Sequence, residues 1–279
     1  MVRLCAFADE ASPWIEGQIA ALKRNGISLL EIRGVDEKNI SEISVNRAKE
    51  VRRMLDAEGI SVWSMGSPIG KISLGEAFAP HVDIFKRIVE YADLLGASKI
   101  RLFSFFPLAG ENEEVTLERV LERMNHLCEL TPDHITLCHE NEKRIYGETP
   151  ERCLRLHKAL PKLRAVFDPA NFVQCNVDTI EAWEMLKDHV EYMHIKDAQE
   201  DHMVVPAGCG IGNIPVLIKE YLGRGGQVLT LEPHLTVFTG LDKLEGGESL
   251  KRDLRQYATN DEAFDAGAIA LKEITSSLC

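Results

Sequence analysis

EYMHIKD, residues 191–197, shows the arrangement that decides the fold of this chain. A short apolar run ends on side chains that are able to bind a metal or a substrate: His194, Lys196 and Asp197. The same arrangement recurs at HENE (139–142), FDPAN (167–171) and LEPH (231–234), each of which follows an apolar run. Short runs of Ile, Val, Leu and Phe are typical of parallel strands that are buried on both faces.

The same alternation extends over the whole chain. Strands are predicted at 2–8, 28–33, 60–65, 99–105, 134–140, 163–168, 191–196 and 227–232. Helices are predicted between them at 13–24, 44–58, 79–95, 114–130, 150–159, 179–188 and 213–222, with a last helical segment within 248–277. Eight strands that alternate with helices predict an α/β fold, a (β/α)8 TIM barrel in which residues 1–279 form a single domain. A doubly wound open sheet is the alternative, but no GxGxxG follows the first strand to support a dinucleotide-binding version.

Helix boundaries carry recognisable signals. Ser12 and Thr149 each precede a proline, which predicts a cap residue followed by the first helical turn. Four glycines follow predicted helices where a left-handed residue is expected: Gly26, Gly59, Gly96 and Gly223. The glycine-rich segment 240–249 is predicted to be a surface loop.

Composition narrows the range of functions. The chain has 279 residues and a formal net charge of −12, which argues against binding to nucleic acid or to an anionic membrane surface. Its seven cysteines are scattered without a CxxC pair, which favours reduced thiols in a cytoplasmic protein. No signal peptide and no apolar run long enough for a membrane span are recognised.

The strand-end residues predict a metal site. Glu140, Asp168, His194 and Glu232 would end the fifth to eighth strands, with separations of 28, 26 and 38 residues. In a barrel these ends open onto one face, where active sites lie. Each residue alone is more simply explained as a salt-bridge partner or a core histidine. Three carboxylates and one imidazole together predict one divalent ion, with Mn²⁺ or Mg²⁺ favoured over Zn²⁺ or Co²⁺.

On these motifs the chain resembles the xylose isomerase-like TIM barrels, a superfamily of sugar and sugar-phosphate isomerases and epimerases, inosose dehydratases and endonuclease IV. The resemblance implies that Glu140, Asp168, His194 and Glu232 hold the metal. It also implies that Glu140 and Glu232 flank the substrate carbon as acid and base. A metal-bound carbonyl would acidify the adjacent C–H, so that a carboxylate could remove the proton and an enediolate would form.

Several further residues are predicted to bind substrate. Asn171, Lys196 and Asp197 belong to the family-like motifs. Arg33 ends the second strand beside Glu31, and Arg101 lies in the fourth. Together with Lys71 and Lys196, Arg33 is predicted to counter a phosphate or carboxylate on the substrate; for Lys71 a surface position is the alternative. Glu142 is predicted to reach a substrate hydroxyl, with a solvated loop carboxylate as the alternative.

Departures from the family pattern narrow the range of activities expected of this chain. Many members have a histidine three residues after the sixth-strand aspartate, where this chain has Asn171. The epimerase branch often has an arginine soon after the seventh-strand histidine, and residues 198–206 contain none. This argues against ketose 3-epimerase activity. The predicted rims of the third and fourth strands lack the histidines of the endonuclease branch.

The leading prediction is a metal-dependent isomerase or epimerase that acts on a small-molecule sugar or sugar phosphate. An inosose dehydratase-like lyase and a non-catalytic sugar-binding barrel remain alternatives. Barrels of this type often pair, so a homodimer is also expected.

Overall fold

The computed structural model describes residues 2–241, 251 and 256–278, and in these ranges eight parallel strands close into a barrel. Each strand pairs with its neighbours in chain order, and the last pairs with the first. The predicted (β/α)8 TIM barrel is therefore confirmed. The strands are β1 Arg3–Ala6, β2 Leu29–Ile32, β3 Ser61–Gly66, β4 Lys99–Leu102, β5 Thr136–Glu140, β6 Arg164–Phe167, β7 Val190–Ile195 and β8 Val228–Leu231.

Helices surround the barrel and cover its outer face with Ile, Leu, Val and Ala side chains. They are α1 Ile15–Arg24, α2 Val45–Ala57, α3 Ala79–Leu95, α4 Glu113–Glu129, α5 Pro150–Ala159, α6 Pro169–Gln174, α7 Thr179–Leu186, α8 Ile214–Gly223 and α9 Asn260–Ser277. Two-stranded hairpins follow β2 (Gly34–Val35 with Lys38–Asn39) and β7 (Asp197–Ala198 with Val204–Val205). Among the described helices, none has the length and apolar character of a membrane span.

The short helix α6 was not predicted. It has only six residues, too few for a helical pattern of apolar positions to emerge. Its start is nevertheless encoded locally, because the Asp168 side chain accepts from the Asn171 backbone N–H at 2.9 Å and Pro169 occupies the first turn.

Strand β4 ends at Leu102 and not at the predicted residue 105. The chain leaves the barrel at Phe103, whose N–H donates to the carbonyl of Ile69, and Phe105 donates likewise to Gly70. These residues therefore pair with the loop that follows β3. Phe105 has a φ of 65°, which no continuing strand would allow.

Two predicted helix boundaries are wrong. Ser12 does not cap α1, which begins at Ile15; its hydroxyl accepts instead from the Trp14 N–H at 3.2 Å. Gly223 is the last residue of α8, and Gly225 takes the left-handed conformation with a φ of 90°. The predicted cap at Thr149 is confirmed. Of the predicted loop 240–249, residues 242–249 lie outside the described residues.

The six cysteines that the structure describes form no disulfide with one another.

Candidate metal centre

The four predicted ligands come together at the C-terminal end of the barrel. Glu140, Asp168, His194 and Glu232 are buried, and each offers one ligand atom within 4.8 Å of the others. His194 Nδ1 lies 3.0 Å from Glu140 Oε1 and 3.5 Å from Glu232 Oε2. Four strands therefore bring one buried cluster of oxygen and nitrogen atoms to one place.

The strand ends that carry Glu140 and Asp168 are locked together by Asn141. Its side-chain amide donates to the carbonyl of Asp168, and its side-chain oxygen accepts from the Asp168 N–H, both at 2.9 Å. The second oxygen of Asp168 faces the cluster because Oδ1 caps α6. Sequence reasoning gave Asn141 no role, although it stands next to Glu140 in the motif.

Three buried cations contact the ligand set. The Lys196 ammonium donates to Asp168 Oδ2 and lies 2.7 Å from Glu232 Oε2. Arg33 Nη1 donates to Glu232 Oε1 at 2.9 Å. Arg101 Nε lies 3.2 Å from Glu140 Oε2. Three of the predicted substrate-binding residues thus lie against the predicted metal ligands.

Burial and neighbouring charges shift the pKa values of the cluster residues in different directions. Burial raises the pKa of Asp168 to about 6, against the effect of the Lys196 ammonium. Burial opposes ionisation of Glu140 as well, but His194 and Arg101 outweigh it and lower the pKa of that carboxyl. Burial also opposes protonation of His194, yet Glu140 and Glu31 raise its pKa to about 10. The cluster therefore strongly favours positive charge at its centre.

The donor set fits a divalent cation. Direct contacts connect six buried carboxyl groups with only three buried permanent cations in the part of the chain that the structure describes. The carboxyl groups are those of Asp9, Glu10, Glu31, Glu140, Asp168 and Glu232; the cations are Arg33, Arg101 and Lys196. A divalent ion at the four-residue cluster would add positive charge beside these carboxyl groups, and carboxylate oxygens with one imidazole suit Mn²⁺, Mg²⁺ or Zn²⁺.

The other predicted site residues lie in three different surroundings. Asn171 lies in the cluster, where its amide donates to the carbonyl of Asn141 at 2.9 Å and to Glu140 Oε1 at 3.3 Å. Lys71 and Glu142 contact each other at 2.9 Å outside it. Asp197 points instead toward residues 208–212, the glycine loop. Its two oxygens accept four backbone N–H groups, those of Ala198, Gly208, Gly210 and Gly212.

A cavity of about 340 Å³ lies beside the cluster's neighbours Asp9 and Arg33, and its described lining includes none of the four predicted ligands. Arg33 connects the two, because it lines the cavity and also contacts Glu232. Lys71, Ile72 and His81 also line the cavity. The volume is sufficient for a small ligand.

Sequence reasoning missed the two acids that directly follow the first strand, Asp9 and Glu10. Arg33 donates to Asp9 at 2.9 and 3.0 Å and to Glu10 at 3.2 Å. His234 Nε2 lies 3.4 Å from Glu10 Oε1 and 3.4 Å from Glu232 Oε1, and burial lowers the pKa of this imidazole to about 4. The adjacent Asp9 and Glu10 directly after the first strand were the available signal.

The sequence profile of the xylose isomerase-like TIM barrel matches residues 19–243, which is most of the chain. The chain belongs to the xylose isomerase-like TIM barrel family. The resemblance that rested on the strand-end motifs is therefore confirmed. A comparison with curated protein sequences finds no match.

Solved xylose isomerase-like structures are similar over nearly their whole length. L-ribulose 3-epimerase has a TM-score of 0.77 at 16% identity, covering 100% of this chain and 96% of that one. The probable 3-DHS dehydratase AsbF of Bacillus anthracis has a TM-score of 0.75 at 15% identity, covering 98% of this chain and 99% of that one. The IolI protein with a bound zinc atom has a TM-score of 0.75 at 14% identity, covering 100% of this chain and 99% of that one. At these identities the likeness shows the shared fold alone.

Proposed function

We propose that the protein is a divalent-metal-dependent isomerase or epimerase that moves a proton beside the carbonyl of a sugar or related polyol. The observation that carries the proposal is the buried cluster of Glu140, Asp168, His194 and Glu232. Arg33, which contacts Glu232, connects this cluster to a cavity of about 340 Å³. Two of the cluster's carboxylates, those of Glu140 and Glu232, serve as the acid and base.

When bound, the metal supplies a Lewis acid that polarises the substrate carbonyl. The protein then needs a carboxylate in its basic form, and the Arg101 guanidinium favours that form at Glu140. Glu232 is held by Arg33 at one oxygen and by Lys196 at the other, so its position relative to the substrate is fixed. Return of the proton to the other face of the same carbon gives epimerisation, and return to the neighbouring carbon gives isomerisation.

The cations near the cluster and the cavity already pair with carboxylates, which favours an uncharged substrate. Arg33 contacts three carboxylates, Lys196 contacts two, and Lys71 contacts Glu142. Cations that are already neutralised attract a phosphate weakly, and the surrounding acids repel it. A neutral sugar agrees with the similarity of the fold to a D-allulose 3-epimerase of Methylomonas sp. in complex with D-allulose.

A lyase of the inosose dehydratase kind is the second candidate. The similarity of the fold to a probable 3-DHS dehydratase favours it. The same carboxylate would remove the proton, and loss of a neighbouring hydroxide would then replace proton return. The product would be lighter than the substrate by one water.

The test is incubation of the Mn²⁺-loaded protein with a panel of ketoses, aldoses and inososes in D₂O. An isomer of unchanged formula that has gained solvent deuterium at carbon supports the isomerase or epimerase. Loss of water supports the lyase. The Glu232→Gln variant is expected to bind the same sugar and to lose turnover by at least about a hundredfold.

Glu191→Gln is the matched control, because Glu191 lies on β7 at the opposite end of the barrel, where it pairs with Lys99. Turnover by Glu191→Gln should remain close to that of the unaltered protein. Sugar binding without turnover in the unaltered, metal-loaded protein would overturn the enzymatic proposal and leave a sugar-binding barrel.

A further inference from the structure

Glu31 is a fully buried carboxyl group inside the barrel that the proposed reaction does not use. It lies in the apolar strand β2, between Leu30 and Ile32. Burial of a carboxylate is costly unless donors surround it. Glu31 has three donors, and all are side chains that point into the barrel from β3 and β7.

The two oxygens of Glu31 have separate partners. Oε1 accepts from the Tyr192 hydroxyl at 2.8 Å and from the Ser64 hydroxyl at 3.2 Å. Ser64 and Tyr192 also lie within hydrogen-bond distance of each other, at 3.1 Å. Oε2 is thereby turned toward His194, whose Nε2 lies 3.1 Å away. The hydroxyl pair thus fixes the orientation of the carboxylate from the side opposite the imidazole.

The imidazole of His194 is held on its other sides too. The ring of Phe7 packs against it edge to face, with centroids 5.1 Å apart, and that of Tyr192 packs against it at 5.5 Å. With Nε2 against Glu31, Nδ1 faces Glu140 and Glu232. A neutral imidazole carries its proton on one nitrogen and its lone pair on the other. An Nε2–H that donates to Glu31 leaves the lone pair on Nδ1.

We infer that Glu31 is a positioning residue that fixes the His194 tautomer and presents Nδ1 to the metal. The inference rests on the proposed metal-dependent function. A carboxylate that accepts from the second nitrogen of a ligand histidine orients the ring and strengthens it as a ligand. Glu31 acts through His194 and does not contact the proposed substrate cavity.

The first test is the tautomer itself, measured in the unaltered protein labelled with ¹⁵N-histidine and loaded with Zn²⁺ alone. Long-range ¹H–¹⁵N spectra distinguish a metal-bound Nδ1 from a metal-bound Nε2. We expect the His194 ring to bind Zn²⁺ through Nδ1 and to retain a slowly exchanging proton on Nε2. Coordination through Nε2 would overturn the inference, and this measurement requires no variant to fold.

The second test is Zn²⁺ affinity, measured by competition with a chelator for Glu31→Gln, Tyr192→Phe and Glu191→Gln. Glu31→Gln should weaken Zn²⁺ binding by about 10- to 100-fold. Tyr192→Phe, which removes one of the two donors to Oε1, should weaken it less. Glu191→Gln is the same substitution away from the cluster and should bind Zn²⁺ as the unaltered protein does.

The outcomes separate this inference from the proposed function. If the unaltered protein binds Zn²⁺ and folded Glu31→Gln binds it equally well, the role of Glu31 is refuted while the metal centre stands. If the unaltered protein binds no Zn²⁺, Mn²⁺ or Mg²⁺, the metal-dependent function and the role of Glu31 both fail.

Discussion

The Lys196 ammonium lies 2.7 Å from Glu232 Oε2 and also donates to Asp168 Oδ2. Both carboxylates are proposed metal ligands. The ammonium and a divalent ion would therefore neutralise the same two charges. The burial of all three groups makes this electrostatic coupling strong, because little solvent screens it.

Replacement of Lys196 by Met should make stability more dependent on metal. In metal-free protein the substitution leaves Asp168 and Glu232 without their shared cation, and loss of one partner of a buried ion pair costs about 3–5 kcal/mol. Added Mn²⁺ should restore part of that loss, so it should stabilise the variant more than the unaltered protein. Urea unfolding with chelator and with Mn²⁺ measures both effects.

Lys99→Met is the matched control, since Lys99 is also buried and lies 2.7 Å from Glu191 at the far end of the barrel. Lys99→Met should lower the free energy of unfolding by the same amount with and without Mn²⁺. Equal responses of the two variants to Mn²⁺ would contradict the coupling of Lys196 to the metal.

Substrate charge offers a second prediction. Because Arg33, Lys71 and Lys196 already contact carboxylates, kcat/KM for a free sugar should exceed that for its phosphate ester by at least about tenfold. Parallel assays with one sugar and its phosphate ester check this. Preference for the ester, together with its loss in Lys71→Met, would instead support the predicted role of these cations in anion binding.

The approach of the four cluster residues to one another could be predicted because each ends a strand in a local motif. His194 in HIKD and Glu232 in LEPH follow apolar runs, and parallel strands of a barrel bring such ends to one face. No tertiary detail is needed for that step. The fold followed from the same runs, since their spacing matches βα units.

The residues that support the cluster could not be predicted in the same way. Glu31 on β2 reaches His194 on β7 across the barrel, and no sequence pattern encodes that contact. Asp197 belongs to a strand-end motif, but its carboxylate turns to the glycine loop. Side-chain direction after a strand ends depends on the loop, which local propensity does not determine.

Asp197 provides a third prediction. Its buried carboxylate accepts N–H groups from Gly208, Gly210 and Gly212 at 2.9–3.0 Å. Asp197→Asn replaces one acceptor oxygen by a donor, which faces N–H groups that it cannot satisfy. The free energy of unfolding should fall by about 2–4 kcal/mol, and the glycine loop should be cleaved faster by protease.

Asp201→Asn, on the exposed turn of the same hairpin, should change neither quantity. An Asp197→Asn variant as stable and as resistant as the unaltered protein would contradict this role.

The last prediction concerns acid stability. His157 lies in α5, packs against the rings of His139 and His189, and has its Nδ1 3.2 Å from the carbonyl of Leu163. Burial lowers its pKa to about 4, whereas an unfolded histidine titrates near about 6.5. Between these values the unfolded chain takes up a proton that the folded chain excludes. The contribution of His157 to stability is therefore complete above about pH 6.5 and declines as the pH falls toward 4.

Replacement of His157 by Gln should remove that dependence. Between pH 6 and 5, the free energy of unfolding of the unaltered protein should fall more steeply than that of the variant, by up to about 1.4 kcal/mol per pH unit. Urea unfolding at half-unit steps of pH measures the two slopes. His126→Gln, on the exposed face of α4, should leave the slope unchanged. Parallel slopes for the unaltered protein and His157→Gln would show that the His157 imidazole accepts its proton without unfolding, and that burial does not keep it neutral.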